Sequence, residues 1–435
     1  MMEDARTIRI GQLGCGTVGS GVIRILRENA EAISRRTGCE IRIKRIAVKD
    51  LADPRYVEVP DEMLTTHART VIEDPEIDII VEVIGGIEPA RTFILEAFAA
   101  GKHAVSANKE LMSTHGGEIL RAAEEAGADI AFEASVGGGI PILLPLKQSL
   151  AGNTVSQILG IVNGTTNYVL TRMTEEGLSF EQAIAKAQSL GYAEADPSAD
   201  VEGRDAAAKL AILASMAFNS RVTLDDVYAE GITGITSDDI TFGRDLGYVI
   251  KLLAVAKDEE GGISVRVHPT MIPADHPLAT VRDENNAIFV SGDAVGELMF
   301  YGKGAGSLPA ASAVVGDIIS ISRNMLSGGR MVGCTCFHEK PIKDMADVVC
   351  RYFMIFEVPD RPGVLARISG VFGDNGVSIK SVIQHGMGRE ARIILITHAV
   401  REQSLRATVG GLQELEAVNR IVSVIRVEDT EPKES

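Results

Sequence analysis

A glycine-rich turn between a strand-like run and a helix-like run is the feature that most constrains this chain. In the segment GQLGCGTVGSGVIRIL, Gly14, Gly16 and Gly19 stand in G-x-G-x-x-G spacing. In that spacing the first glycine makes the turn, the second lets the backbone approach a pyrophosphate, and the third lets a helix pack closely on a sheet. The N–H groups and the dipole at the start of the following helix favour phosphate groups. The segment therefore predicts a dinucleotide site, with a purely structural glycine-rich turn as the alternative.

Strand-like and helix-like runs alternate from Ile8 to about Phe132. The strand-like runs, rich in β-branched residues, are IRIGQLG, IRIKRIAV, IDIIVEVIG, KHAVSAN and ADIAFEA. Strand followed by helix in repeated succession indicates parallel βαβ units and a doubly wound sheet. The predicted fold class is therefore α/β, with an N-terminal Rossmann domain over residues 1–140 that binds NADP or NAD.

Residues 141–330 mix the two patterns, which predicts an α+β substrate-binding and dimerisation domain. Helices are expected in EQAIAKAQSLGYAEA, GRDAAAKLAILASMAF and DLGYVIKLLAVAKDE, and strands in SVRVHPTMI, NAIFVSGD and ELMFYG. A long apolar helix is expected in LPAASAVVGDIISISRNML. The polar, glycine-containing stretch that follows, SGGRMVGCTCFHEKPIKDMAD, is interpreted as a linker.

Composition excludes several classes of partner. The 435 residues carry a formal net charge of −17, whereas a nucleic-acid surface needs clustered Lys and Arg, so no nucleic-acid partner is expected. No apolar run approaches the roughly 18 residues of a membrane span, and the acidic N-terminus lacks the layout of a signal peptide. A cytoplasmic protein with a small-molecule partner is therefore expected. The five cysteines are scattered in a way typical of reduced thiols, and the pair Cys334 and Cys336 has no second pair with which to hold a metal.

The end of the second predicted strand bears on the choice of coenzyme. A carboxylate just past this strand favours NAD by binding the ribose, whereas a cation favours NADP. Here Lys49 and Asp50 stand side by side, with Arg55 close behind. The sequence leaves both coenzymes open.

A second polar cluster lies in GYAEADPSADVEGRDAAAKL, from Gly191 to Leu210. Asp205 and Lys209 are four residues apart and so share one face of a predicted helix. A carboxylate placed there can hold a substrate ammonium group, and a partly desolvated lysine can act in proton transfer. The residues alone favour a plainer interpretation, a solvated helix start with an ordinary surface ion pair.

Five stretches of the chain together resemble homoserine dehydrogenases over residues 8–320. In chain order they are VSANKELMS, EASVGGGIP, GIVNGTTNYVL, GYAEADPSADVEGRDAAAKL and GKGAGSLPAASAVVGD. The resemblance implies hydride transfer between a nicotinamide and the C4 carbon of L-aspartate 4-semialdehyde, which yields L-homoserine for threonine, methionine and isoleucine synthesis. By the same resemblance Lys209 donates the proton, and Glu194 and Asp205 bind the substrate. Lys109 is implied to contact cofactor and substrate as a second catalytic lysine, with a solvated loop cation as the alternative.

The resemblance also implies further cofactor contacts and a cation. The additional cofactor residues are Thr17, Val18, Gly191 and Gly306. A monovalent cation, usually sodium, is implied in the EASVGGGIP loop, with Glu133, Val136, Gly138 and Ile140 as ligands. Hard cations prefer oxygen ligands, and consecutive glycines let carbonyl groups turn inward without steric cost. A tight glycine-rich loop without an ion is the alternative.

A third region, residues 348–428, resembles an ACT domain, a βαββαβ module that binds small ligands, usually amino acids. In the stretch VPDRPGVLARISGVFGDNGVSIKSVIQ, Pro362 and Gly363 turn the chain into a predicted helix, and Asn375 and Gly376 turn it out. A ligand carboxylate would meet N–H groups at that helix start. The resemblance favours threonine as the effector, and a domain kept only for oligomerisation is the alternative.

The predicted assembly is a homodimer or homotetramer, because both C-terminal regions resemble interface formers. Two rival functions remain open. A dehydrogenase of another small amino acid should not carry both GIVNGTTNYVL and GYAEADPSAD. A non-catalytic amino-acid sensor has no need of the full set Lys109, Glu194, Asp205 and Lys209.

Overall fold

The computed structural model describes residues 6–386 and 391–428. The first five residues of the predicted 1–140 domain and residues 387–390 of the predicted 348–428 module lie outside the described residues. Within the described ranges, no helix is both long and apolar enough to cross a membrane. The five cysteines are free thiols, as predicted.

The strands and helices are numbered here in chain order. The strands are β1 Thr7–Leu13, β2 Glu40–Ala47, β3 Leu64–Thr65, β4 Ile79–Glu82, β5 His103–Ser106, β6 Ile130–Ala131, β7 Val155–Ile161, β8 Tyr228–Ala229, β9 Tyr248–Glu259, β10 Gly262–Pro273, β11 Asn285–Gly292, β12 Gly296–Lys303, β13 Val349–Val358, β14 Ile379–His385, β15 Ala391–Thr397, β16 Val400–Arg401 and β17 Arg420–Val427. The helices are α1 Thr17–Glu28, α2 Ala30–Thr37, α3 Ala68–Ile72, α4 Ala90–Ala99, α5 Lys109–Glu125, α6 Leu143–Lys147, α7 Gly164–Glu176, α8 Phe180–Ser189, α9 Ser198–Val201, α10 Arg204–Ala217, α11 Ser237–Asp245, α12 Ser307–Ser327, α13 Val364–Asp374 and α14 Glu402–Gln413.

The chain divides into two compact units that interleave along the sequence. The first contains the residues up to Ile158 together with Ala208–Asp226 and Asn286–Lys340. The second contains Leu159–Ala207, Val227–Asn285 and the residues from Pro341 onward. Each unit therefore draws on segments that are far apart in the sequence.

The first unit contains the predicted doubly wound parallel sheet. Its described strands follow the order β3-β2-β1-β4-β5-β6. One face packs on α1 and the long helix α12, where Val22 and Leu26 meet Val314 and Ile318 in a buried cluster. The other face is covered by α3 and α4 through a second cluster that includes Val71. The α/β fold class and the apolar helix predicted from LPAASAVVGDIISISRNML are both confirmed.

The prediction of a helix in DLGYVIKLLAVAKDE is wrong. This segment forms β9, which pairs antiparallel with β10 along its full length. Residues 250–256 are all buried, and apart from Lys251 they are apolar, so the run lacks the alternation that distinguishes a half-buried strand from a helix. The glycine pair that follows was the missed signal, because Gly261 and Gly262 adopt positive φ angles of 90° and 132° in the turn of the hairpin.

The C-terminal module has the predicted βαββαβ order, with the short β16 added. Its described strands lie in the order β17-β13-β15-β14, and Gly363 caps α13 at a φ of 89°. The last strand, β17, also pairs in parallel with β10 through Thr270 and Arg426. Within the second unit the sheet of this module therefore continues into the β9–β10 hairpin.

Buried charged side chains lie where β17 pairs with β10. The Glu428 side chain is 7% exposed and that of Arg266 only 1%. Glu428 accepts hydrogen bonds from Arg266 and from Lys257, the latter at 2.6 Å between Nζ and Oε2. A carboxylate shared by two cations in a buried place is costly to remove, because its partners are then left uncompensated.

We expect Glu428→Gln to lower the free energy of unfolding by about 3–5 kcal/mol. Urea denaturation is the measurement, with the exposed Glu416→Gln as the control. Burial raises the pKa of the Glu428 carboxyl, but Lys257 and Arg266 outweigh burial and hold that pKa below its ordinary value of 4.5. The stabilisation is thus present above pH 4.5 and is lost as the pH falls through the lowered pKa. Equal stability of Glu428→Gln and wild type at neutral pH would contradict this account.

Candidate active site

The G-x-G-x-x-G segment forms the tight turn between β1 and α1 that the sequence predicts. Gly14 has a φ of 102°, and a Cβ there would lie 2.7 Å from the carbonyl oxygen of Val83. A Cβ on Gly19 would lie 2.5 Å from the carbonyl oxygen of Gly14. Gly16, by contrast, has open space where a Cβ would lie, and it is the N-cap residue of α1. The turn therefore leaves the first N–H groups of α1, at Thr17 and beyond, accessible to a phosphate.

A cavity of about 890 Å³ opens beside this turn. Lys49, Asp50, Asp53 and Arg55 line it just beyond the end of β2, together with Gly14 and Gly16. The Asp50 carboxylate accepts a hydrogen bond from the Ala52 amide at 2.8 Å. The Arg55 guanidinium donates to the carbonyl oxygen of Asp50 at 3.1 Å, which holds it against the same turn. Both cations and both carboxylates thus stand at the edge of the cavity.

Lys109 is the first residue of α5, which begins where β5 ends. Asn108 caps this helix by accepting a hydrogen bond from the Leu111 amide at 3.0 Å. The Asn108 amide also donates to the carbonyl oxygen of Gly86 at 2.6 Å. Lys109 is half-buried. It therefore lies at the carboxyl edge of the parallel sheet, where ligands of such folds bind.

Sequence reasoning missed Glu82, a buried carboxylate at the end of β4. Its oxygens accept hydrogen bonds from the Ser106 hydroxyl at 2.6 Å and from the Ile84 and Gly85 amides at 2.9 and 3.2 Å. Burial raises the pKa of the Glu82 carboxyl. Glu82 holds the turns after β4 and β5 together, and so shapes the sheet edge next to the cavity. The available signal was a single acid inside the apolar run IIVEVIG.

The glycine-rich segment 133–140 packs on the GKGAGS segment. A Cβ on Gly138 would lie 2.5 Å from the carbonyl group of Gly304, so only glycine allows this approach. Gly306 caps α12 at a φ of 120°, and the Ser307 hydroxyl donates to the carbonyl oxygen of Thr17 at 2.6 Å. The structure thus brings the starts of α1 and α12 together. Two of the predicted cofactor residues, Thr17 and Gly306, consequently lie close to each other.

The side chain of Glu133 is fixed at the start of α6. Its carboxylate accepts hydrogen bonds from the Leu143 and Leu144 amides at 2.7 and 2.8 Å, and also from the Ile142 amide. The Glu133 amide donates to Asp317 at 2.9 Å. Burial raises the pKa of the Asp317 carboxyl well above its ordinary value. Among the residues that the structure describes, no group of three or more His, Cys, Asp or Glu side chains could hold a metal, so backbone carbonyl groups would have to supply most ligands of a cation in this loop.

In the second unit, Asn163 gathers the acidic residues that the sequence singled out. Its side-chain oxygen caps α7 by accepting from the Thr166 amide at 2.9 Å. Its amide nitrogen donates to Asp200 at 2.6 Å and to Asp205 at 2.8 Å. Asp205 is 7% exposed. The plainer interpretation predicted a solvated carboxylate, and the burial of Asp205 contradicts that part of it. Lys209 is four residues further along α10.

The rest of the motif NGTTNY fixes the surrounding loops. The Thr165 hydroxyl donates to the carbonyl oxygen of Tyr192 at 2.7 Å, and so anchors the segment after α8. Asn167 binds the carbonyl oxygen of Asp283 at 2.9 Å and accepts from the buried Lys251 at 2.9 Å. A Cβ on Gly164 would lie 2.8 Å from the carbonyl oxygen of Glu284. The motif thus connects the start of α7 to the acidic loop and to the loop before β11.

Glu194 and Gly191 lie in that anchored segment. The helix predicted through EQAIAKAQSLGYAEA ends at Ser189, because Gly191 takes a φ of 76° and turns the chain out. Glu194 is exposed, and its carbonyl oxygen accepts from the Gln188 side chain at 3.0 Å. The loop carrying Glu194 is therefore held through its backbone, and the Glu194 side chain is exposed to solvent.

The parallel sheet, its glycine-rich turn and the cavity beside it define a dinucleotide-binding domain. Family models described as homoserine dehydrogenase, NAD binding domain, as homoserine dehydrogenase and as ACT domain match residues 14–133, 141–319 and 352–417. The chain belongs to the homoserine dehydrogenase family, as its sequence motifs predicted.

Individual relatives agree with this assignment. The chain is 44% identical over 429 residues to a homoserine dehydrogenase of Bacillus subtilis, covering 97% of this chain and 99% of that protein. The crystal structure of a homoserine dehydrogenase from Thiobacillus denitrificans superimposes with a TM-score of 0.92 and 42% identity, covering 98% of this chain and 99% of that one. A hyperthermophilic archaeal homoserine dehydrogenase in complex with NADPH is 27% identical, with a TM-score of 0.63 over 76% of this chain and all of that chain.

Proposed function

We propose that this enzyme reduces L-aspartate 4-semialdehyde to L-homoserine with NADPH, and so serves threonine, methionine and isoleucine synthesis. The observation that carries the proposal is the buried Asp205 carboxylate held by the Asn163 amide, with Lys209 one turn along the same helix. Chromatographic identification of L-homoserine after incubation of the enzyme with L-aspartate 4-semialdehyde and NADPH tests it. A different product would redirect the proposal to another small amino acid.

Asp205 and Glu194 bind the substrate in this proposal. The Asn163 amide fixes the Asp205 carboxylate in place. A carboxylate positioned in this way can bind the α-ammonium group of an amino-acid substrate. Glu194, on its backbone-anchored loop, supplies a second carboxylate from the solvent side.

Lys209 is the proton donor in this proposal. When bound, the reduced nicotinamide supplies a hydride to C4 of the aldehyde. Lys209 gives a proton to the alkoxide oxygen that forms, and solvent returns a proton to its amine. Lys109, at the carboxyl edge of the sheet, contacts cofactor and substrate and shares the proton transfer. Placing a positioned ammonium group where negative charge develops lowers the barrier.

The coenzyme site is proposed at the turn between β1 and α1. The pyrophosphate is held at the turn by Gly14, Gly16, Thr17, Val18 and Gly19, and Gly191 and Gly306 approach the cofactor. The cavity carries the cations Lys49 and Arg55 beside the carboxylates Asp50 and Asp53, and we assign the two cations to the 2′-phosphate of NADPH. The archaeal relative that was crystallised with NADPH supports the same choice.

We expect the double substitution Lys49→Ala and Arg55→Ala to raise the KM for NADPH by at least about tenfold, since each lost phosphate contact is charge-assisted. The KM for NADH should change far less. Steady-state kinetics with both coenzymes is the measurement. Arg69→Ala is the matched control, because Arg69 also lines the cavity but is paired with Glu96 at 2.9 Å. An equal loss for both coenzymes would overturn the assignment.

We place a structural sodium ion in the 133–140 loop. Its ligands are Glu133 and the carbonyl oxygens of Val136, Gly138 and Ile140. The close packing of Gly138 on Gly304 and the fixed Glu133 carboxylate support this, since they present oxygen atoms from a rigid loop to a hard cation. The cation would brace the loop that packs on the GKGAGS segment, and would take no part in proton transfer.

Threonine is the proposed effector, bound where Gly363 opens α13, in a homodimer or homotetramer. Deleting the module is a poor test because it would also disrupt the rest of the second unit: β17 pairs with β10, and Glu428 pairs with the buried Arg266.

We expect Gly363→Val to abolish threonine inhibition while activity persists, because a side chain is added at a φ of 89° in the proposed site. Initial rates with and without threonine measure this, with a thermal melt as the folding control. Undiminished threonine inhibition would place the effector elsewhere.

A further inference from the structure

Two thiols are in contact in the segment that follows α12 in the first unit. Cys334 is exposed, and Cys336 is partly exposed. The Phe337 amide donates to the carbonyl oxygen of Thr335 at 3.0 Å, which makes a three-residue turn centred on Cys336. The Cys334 sulfur accepts hydrogen bonds from both the thiol and the amide of Cys336. The turn therefore holds two free thiols against each other at the surface of the protein.

A guanidinium group is fixed beside the Cys334 sulfur. Arg221 donates to this sulfur at 3.5 Å from Nη2. The Arg221 side chain packs on α5, where a Cβ on Gly117 would lie 3.2 Å from its Nε atom. Hydrogen bonds from Cys336, together with the positive charges of Arg221 and Lys147, lower the pKa of the Cys334 thiol. More of Cys334 is therefore thiolate at neutral pH than of an ordinary cysteine, and the thiolate is the form that reacts with oxidants.

The other three cysteines are shielded from solvent. Cys15, Cys39 and Cys350 are 9%, 0% and 5% exposed. Cys350 also lies near a guanidinium group, that of Arg266 at 3.7 Å, but burial raises the pKa of its thiol. An exposed sulfur, a cation and a second thiol thus occur together at Cys334 alone of the five cysteines. This combination is typical of a cysteine that oxidants modify selectively.

We propose that Cys334 and Cys336 form a site of reversible oxidation by hydrogen peroxide, in which Cys334 reacts first and Cys336 then closes an intrachain disulfide. The Cys334 thiolate attacks one peroxide oxygen, so that an S–O bond forms, the O–O bond breaks, and the departing hydroxide takes a proton from solvent. The Cys336 sulfur then attacks the resulting sulfenic acid. An S–S bond forms, the S–O bond breaks, and the hydroxide leaves as water with the Cys336 proton. The two thiols are oxidised, and the peroxide is reduced to two molecules of water.

The contacts of Cys336 explain this order of events. Its hydrogen bond to Cys334 raises the pKa of the Cys336 thiol, so Cys336 stays protonated while Cys334 reacts. The Cys336 sulfur lies 3.6 Å from the carbonyl oxygen of Ser215, which keeps it next to the turn. A disulfide across a single intervening residue closes a small ring at the surface, and exposed or strained disulfides are the ones that external thiols reduce readily. The modification is therefore reversible. It goes beyond the reaction proposed above and requires neither coenzyme nor substrate.

Peptide mass spectrometry of the full-length enzyme after brief treatment with hydrogen peroxide tests the site. We expect the peptide that contains Cys334 and Cys336 to lose two hydrogen atoms and to regain them with dithiothreitol, while Cys39 and Cys350 remain thiols. Cys336→Ser should leave Cys334 as a sulfenic acid that dimedone traps. Cys334→Ser should give no dimedone adduct at Cys336. Absence of the disulfide at peroxide concentrations that already oxidise Cys39 or Cys350 overturns the proposal, and so does a disulfide that joins two chains on a non-reducing gel.

The rate of alkylation tests the thiolate separately from any oxidant. Iodoacetamide at pH 7 should alkylate Cys334 roughly tenfold faster than it alkylates N-acetyl-L-cysteine, since a lowered pKa raises the fraction of thiolate. Arg221→Gln should slow this reaction several-fold, with a thermal melt as the folding control. Arg35→Gln is the matched control, because Arg35 is an exposed arginine on α2 that pairs with Glu31, and its rate should equal that of wild type. Alkylation of Cys334 no faster than that of N-acetyl-L-cysteine, or unaffected by Arg221→Gln, would contradict the activation of Cys334 by its surroundings.

Discussion

Lys209→Ala is expected to lower the turnover number by roughly 10² or more, as loss of a positioned proton donor should. NADPH binding should remain nearly intact, because the coenzyme site is built on the β1–α1 turn. Turnover with L-homoserine and fluorescence titration with NADPH are the two measurements. An added primary amine such as methylamine should restore part of the activity, since it can replace the missing proton donor.

Lys186→Ala is the matched control for this experiment. Lys186 is a lysine on α8 whose ammonium group pairs with Glu176 at 2.7 Å. Its removal should leave turnover within about twofold, as for most surface ion pairs. Unchanged turnover in Lys209→Ala would remove Lys209 from the mechanism and leave Lys109 as the candidate donor.

Asn163→Asp should raise the KM for L-homoserine by roughly 10- to 100-fold, and should also lower the free energy of unfolding, because it adds a carboxylate at a buried position. Aspartate keeps the helix cap, because its oxygen still accepts from the Thr166 amide. It replaces the amide donor with a third carboxylate beside Asp200 and Asp205, which are then repelled. Asn163→Ala should also raise this KM, and should in addition lower the free energy of unfolding by about 1 kcal/mol through loss of the cap.

The two Asn163 variants test two roles of one side chain. Steady-state kinetics reports on substrate binding, and urea denaturation reports on the stability of the fold. A normal KM in Asn163→Asp would show that Asn163 only caps α7, and would detach Asp205 from the substrate site.

Local patterns predicted most of what positions the coenzyme. The three glycines, the alternation of strands and helices and the βαββαβ order of the ACT module each depend on neighbours in the chain. The strand β9 was mispredicted because both of its faces are buried, and continuous burial removes the periodicity that identifies a strand.

Long-range pairing could not be predicted in the same way. Asn163 contacts Asp200 and Asp205, which are 37 and 42 residues away in the sequence, so no local sequence pattern indicates these contacts. The parallel pairing of β17 with β10 joins residues more than 150 positions apart, and no local pattern indicates it. Glu82 shows a weak signal, a lone acid in an apolar strand, but its partner Ser106 lies on the next strand.

The most direct test of the account is the absorbance at 340 nm when wild-type enzyme is mixed with L-homoserine and either NADP or NAD. We expect the absorbance to rise with homoserine, faster with NADP than with NAD, and to stay flat when L-serine replaces homoserine. No rise with either coenzyme would contradict the catalytic account and would favour a non-catalytic amino-acid sensor.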